Sequence, residues 1–131
     1  MARYNILFEK TLNFAARIVT LYKHLIQTQK EYDLPRQVLR SGTSIGANAM
    51  ESRSAQSTAD FISKLHIALK EADETSYWLS LFLKINYITQ TEYDSLDSDL
   101  QEIIKILVSI IKKTKESAGS LNSGPAGSLN S

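Results

Sequence analysis

Apolar residues in this chain recur every three or four positions through four successive stretches, and no stretch shows the two-residue alternation of a half-buried strand. That spacing is the period of the α-helix. A chain that keeps it four times must bury four apolar faces against one another. In the first stretch, about residues 6–30, Phe8, Leu12, Ala15, Val19, Tyr22 and Ile26 form one row, and Leu7, Phe14, Ile18, Leu21 and Leu25 form a second beside it. Two adjacent rows are wider than a single seam needs, so this helix is expected to touch more than one neighbour. The second stretch, about 35–53, has few large apolar residues and places Gly42 and Gly46 among Ser44, Ala47, Asn48 and Ala49. Each glycine costs about 1 kcal/mol of helix propensity relative to alanine, so two of them predict close approach by another helix, or a bend. The third, about 58–86, keeps Phe61, Leu65, Ala68, Ala72, Thr75, Leu79 and Phe82 in an unbroken row. It becomes apolar on nearly every side over 77–88, which predicts enclosure. The fourth, about 90–115, carries Leu96, Leu100, Ile103, Leu107 and Ile110, with Ile104, Val108 and Ile111 alongside.

The breaks between stretches carry helix-start chemistry. Asp33 precedes Pro35 and can cap the second helix. Ser57 with Asp60, and Thr89 with Glu92, read as capping boxes for the third and fourth. Lys112, Lys113 and Lys115 fall in the last turn of the fourth helix, where cations suit the helix dipole. Residues 117–131 differ in kind: AGSLNS occurs at 118–123 and again at 126–131, around Gly124-Pro125. That composition describes a flexible linker of engineered appearance, outside a single domain of residues 1–116. Four helices with three short connections predict an all-α, antiparallel up-down four-helix bundle.

Composition excludes several functions. The chain has no cysteine, so it can have neither a disulfide nor a thiolate metal site or nucleophile. The opening MARYNILFEK lacks a signal-peptide pattern, and no window approaches the ~18 apolar residues of a membrane span. A cytoplasmic protein is therefore expected. Charge is unevenly spread: +4 over residues 1–53, −6 over 54–104 and +3 over 105–131, for a total of +1. No overall basic field exists to drive strong non-specific nucleic-acid binding.

The polar residues embedded in the helical pattern are the candidate site. Ser41, Ser44, Asn48 and Glu51 share one face of the second helix, and Lys64, Glu71 and Glu74 recur on the third. Glu71 and Glu74, with Glu51 across from them, could form an acid/base pair. Pairing with Arg40 or Lys64 is the favoured reading, because half-buried carboxylates need a cation or donors. These seven residues, Arg40, Ser44, Asn48, Glu51, Lys64, Glu71 and Glu74, are expected to set the register of a tight seam between helices two and three, with Gly42 and Gly46 permitting the approach. His24 and His66 are the two histidines, and neither follows a Glu by three as in di-metal bundles. No catalytic, metal or cofactor site is expected, and no small-molecule substrate is identified. Arg36, Arg40 and Arg53 on helix two and Lys105, Lys112, Lys113 and Lys115 on helix four could form a basic stripe for RNA, against the plainer reading of solvated faces.

RSGTS at 40–44, SIGANAMES at 44–52 and DFISKLHIALKEADETSYWL at 60–79 resemble one family. It is the four-helix-bundle family encoded in intervening sequences of bacterial 23S ribosomal RNA genes. The similarity extends to about residues 5–115. It implies a left-turning up-down bundle that assembles into a ring, a homopentamer, with no known enzymatic activity. A related branch serves diversity-generating retroelements and binds nucleic acid and a reverse transcriptase through a strongly basic surface. This chain lacks such a surface, so that role is not carried over. The double apolar rows agree with self-association, since contiguous exposed apolar surface marks interfaces.

Overall fold

The computed structural model describes residues 2–122, which form four helices: α1 Ala2–Gln29, α2 Asp33–Glu51, α3 Thr58–Lys84 and α4 Gln90–Asn122. A 3-10 turn, Ser52–Ser54, closes α2. No strand occurs among the described residues. Helix α4 continues past Lys115 through Ser117 to Asn122, where composition pointed to a linker. Extending an existing helix fixes one residue per hydrogen bond gained, so ordinary residues such as Ala118 suffice. The second AGSLNS, at 126–131, and Gly124-Pro125 lie outside the described residues.

The helix ends show how the chain is punctuated. At α4 the capping box is complete: Glu92 N–H donates to Thr89 Oγ1 at 3.1 Å, and Thr89 N–H donates to Glu92 Oε1 at 2.8 Å. At α3, Asp60 N–H donates to Ser57 Oγ at 3.0 Å, and the Asp60 carboxylate accepts from Gln56 N–H at 3.1 Å. At α2 the cap is Glu31 and not Asp33. Asp33 already lies in the first turn, and Leu34 N–H donates to Glu31 Oε2 at 2.6 Å. Helix α3 ends in a Schellman motif with Asn86 left-handed at φ 63°. Tyr87 N–H donates to Phe82 O at 2.8 Å and Asn86 N–H to Leu83 O at 3.2 Å. The Tyr87 ring stacks on Phe82 with centroids 5.7 Å apart. The Tyr87 hydroxyl then donates to Glu31 Oε1 at 2.9 Å, so one carboxylate ties both loops at this end of the bundle.

Consecutive helices pack side by side and α1 closes against α4, leaving α1 and α3, and α2 and α4, diagonal across the core. Side-chain pairings fix the directions. Tyr4, at the start of α1, meets Ser52, just past α2; Arg40 and Glu51 of α2 meet Glu71 and Lys64 of α3 in reverse order, as Lys10 and Arg17 of α1 meet Glu102 and Asp99 of α4, so each of these neighbouring pairs is antiparallel. The core is built from one row of each helix, including Phe14 and Ile18 of α1, Val38 and Ile45 of α2, Leu65, Leu79 and Phe82 of α3, and Leu100, Ile103 and Leu107 of α4.

The two glycines serve a different seam from the one the sequence suggested. A Cβ on Gly42 would lie 2.9 Å from both Cγ1 and Cγ2 of Ile18, and one on Gly46 would lie 3.0 Å from Thr11 Cβ. Both contacts are with α1, not α3. Periodicity places a glycine on a helix but does not say which neighbour lies over it. Gly42→Ala is expected to destabilise the fold by about 1–2 kcal/mol, since overpacking outweighs the ~1 kcal/mol propensity gain. In an Ile18→Ala background the same change should be neutral or stabilising. A double-mutant cycle by chemical denaturation measures this coupling.

Candidate functional site

The seam between α2 and α3 gathers five of the seven expected polar residues. Arg40 on α2 meets Glu71 Oε1 at 3.3 Å and also pairs with Glu74 on α3. One turn further along α3, Trp78 donates its indole N–H to Glu74 Oε2 at 3.1 Å. The Arg40 guanidinium, and then the Trp78 N–H, hold the Glu74 carboxyl below the usual carboxylate range. Nearer the other end of the same seam, Lys64 lies 3.5 Å from Glu51. The cluster sits at the surface, with the Arg40 side chain half exposed. Ser44 and Asn48 do not cross to α3. Ser44 Oγ donates to Arg40 O at 2.6 Å and Asn48 Nδ2 to Ser44 O at 2.8 Å, both within α2. Short side chains four residues apart reach their own helix's carbonyls more readily than a neighbouring helix.

The buried polar contact of this seam is Ser41 with Thr75. Both residues are fully buried, and their hydroxyl oxygens are 2.9 Å apart. Thr75 Oγ1 also lies 2.8 Å from Glu71 O. A hydroxyl has one proton, so Thr75 donates to the Glu71 carbonyl and accepts from Ser41. Thr75 belongs to the core row by spacing, and its hydroxyl is what sets it apart there. The α1–α4 seam holds two ion pairs that spacing did not reveal, Lys10–Glu102 at 2.9 Å and Arg17–Asp99 at 2.6 Å. The residues sit seven and three apart on their helices, but only the relative rotation of the helices brings them together.

The carboxylates that might have served as acid and base each lie against a cation. Glu71 and Glu74 pair with Arg40, and Glu51 is drawn to Lys64. His24 and His66 are exposed on different helices. Among the described residues no group of three or more His, Asp or Glu is placed to hold a metal. No helix among them is long and apolar enough to cross a membrane. A cleft of about 780 Å³ at the α2–α3 end includes Tyr4, Phe61 and Arg53 in its lining, with neither histidine nor carboxylate there. The basic residues do not form one stripe. Arg36, Arg40 and Arg53 lie on or just after α2, diagonal to Lys105, Lys112, Lys113 and Lys115 on α4. Arg40 is occupied by Glu71 and Glu74, and the Arg53 guanidinium lies 5.6 Å from the centroid of the Phe8 ring.

The surface departs from ordinary polarity along α1 and α2. The apolar row of α1 that runs through Leu12 is only partly covered: Leu12 is 72% exposed, while Phe8, Ala15, Val19, Tyr22 and Ile26 are half-buried. Met50 of α2 stands beside this row, 47% exposed. Together they flank a groove of about 320 Å³ floored by Thr11 and Gly46. On the opposite side Val108 is 47% exposed above a second apolar groove between α3 and α4. The 77–88 segment is not enclosed by this chain either. Leu79, Phe82 and Ile88 turn inward, while Tyr77 and Ile85 stay outside, because α2 and α4 cover only two of the sides of α3.

The model of one protein family, described as 23S rRNA-intervening sequence protein, matches residues 3–109. No curated protein matches the chain. Among solved structures, the chain is similar to a Bacteroides thetaiotaomicron protein of unknown function from the S23 ribosomal protein family. The two are 56% identical with a TM-score of 0.83, over 84% of this chain and 98% of that one.

Two outcomes follow from the seam. Thr75→Val should cost about 1–3 kcal/mol, because it strands the buried Ser41 hydroxyl. Ser41→Ala should cost less, since Thr75 keeps its bond to Glu71 O. Urea denaturation of both variants reads the difference. Glu74→Gln should cost no more than about 0.5–1 kcal/mol at neutral pH, because solvent screens this half-exposed pair. The Glu74 contribution is in place above the unfolded carboxyl value of about 4.3 and fades as the pH falls through the lower folded value. The stability gap between parent and variant should therefore close in acid, as followed by denaturation across a pH series.

Proposed function

Because the chain belongs to the 23S rRNA-intervening sequence protein family, we propose that it is a non-enzymatic helical module of the cytoplasm that associates with copies of itself in a closed ring. Five subunits is the number the sequence resemblance implies. The observation that carries this reading is the partly covered apolar row of α1, with Leu12 exposed near its start and Met50 beside it. A leucine side chain gains roughly 1.5–3 kcal/mol on full burial, so covering Leu12 and completing the burial of its half-buried neighbours favours association. Two apolar faces on opposite sides of one bundle suit a heterologous contact, in which unlike patches meet and the chain of contacts closes on itself. The placement of the carboxylates supports a role without catalysis, since Glu51, Glu71 and Glu74 all lie against cations in the α2–α3 seam.

Sedimentation velocity and light scattering test the reading. The chain at micromolar concentration should run as one closed species whose mass stays constant over a tenfold dilution. A monomer under those conditions rejects it. A structured RNA retained at low salt and released steeply as salt rises would put nucleic-acid binding ahead of self-association.

A further inference from the structure

The proposed ring needs two unlike faces that fit each other, and the inference here rests on that reading. We propose that the α1–α2 groove of one copy receives the α3–α4 edge of the next, with Leu12 and Val108 interdigitating across the contact. The α1–α2 face presents Leu12 and Met50 as walls above a floor of Thr11 and Gly46. Gly46 has no side chain, so the floor is low enough to accept a neighbouring ridge. The α3–α4 face presents Val108 as that ridge, beside a groove of about 340 Å³ lined by Leu69 and Ile111. Ridge and groove on each face give the alternation that helix packing uses.

Charge points to the same pairing. Glu9 is the charged residue among those lining the α1–α2 groove. Lys112 and Lys115 line the α3–α4 groove, with His66 and Glu116. Among the described residues Glu9, Lys112 and Lys115 form no ion pair within the chain, so they remain available to a second copy. Position along the bundle agrees as well. The α1–α2 groove uses the first half of α1 and the second half of α2, and the α3–α4 groove uses the first half of α3 and the last part of α4. In an antiparallel bundle all four segments lie in the same half. Faces at similar heights are what rotation about an axis parallel to the helices requires, and such a rotation closes a ring where a rise would build a filament.

The absence of cysteine makes the contact directly testable. A variant carrying both Leu12→Cys and Val108→Cys, mildly oxidised, should give a ladder of disulfide-linked subunits that collapses on reduction. Each single variant should give no ladder. Both positions are exposed on opposite sides of the bundle, so neither change should lower the melting temperature, and a link within one copy is out of reach. Glu9→Lys and Lys112→Glu should each raise the concentration for half-assembly several-fold at low salt, and the two together should bring it back towards the parent value. Homodimers of the Leu12→Cys variant without a ladder would mean that like faces meet, and overturn the proposal. An oligomer of unchanged mass that forms no Leu12–Val108 link, and ignores both charge changes, overturns it while leaving self-assembly standing. A monomeric parent chain removes both.

Discussion

The distance between α1 and α2 is set by two positions that have no side chain, and much of the rest of the molecule depends on it. Gly42 sits against Ile18 and Gly46 against Thr11 so closely that a methyl group at either would have to move its neighbour. The two backbones therefore draw together, and Ile18 and Phe14 are pressed into the core. Only one of the two apolar rows of α1 can face inward at that separation. The other row, through Leu12, is left at the rim of a shallow groove that has Gly46 in its floor. The close approach that stabilises the monomer is thus also what leaves it with an apolar surface.

On the far side of α2 the packing works differently. The α2–α3 seam is held by polar contacts at two depths. The Ser41 and Thr75 hydroxyls pair inside, where a stranded partner is costly. Arg40 with Glu71 and Glu74 pairs at the surface, where solvent weakens each contact. The inner pair contributes more to register than the outer one, although the outer residues carry the full charges. At the end of the bundle Glu31 caps α2 through Leu34 N–H and accepts from Tyr87, so the α1–α2 and α3–α4 loops are held by one side chain.

Helix number, core rows and the Ser57 and Thr89 caps were legible in the sequence, because spacing along one helix and the chemistry of its first turn are local properties. Thr89 with Glu92 is the clear case: both residues and both hydrogen bonds lie within four positions. What spacing could not show was which helix lies over a given face. Gly42 and Gly46 were assigned to the wrong neighbour for that reason, and Lys10–Glu102 and Arg17–Asp99 were not foreseen. Ser44 and Asn48 shared a face with Glu51 but bond within their own helix. A polar residue mid-helix has a carbonyl four residues back always within reach, and that option competes with any partner across a seam.

Helix α4 has one further consequence. Thr114 lines the same end cleft as Tyr4, near the start of α1, so α4 projects about two further turns beyond that level, to Asn122. At 1.5 Å per residue that projection is roughly 12 Å. In a cyclic assembly every copy would send this rod from the same rim. Weak individual contacts made by these last turns to a shared target would then add up through local concentration.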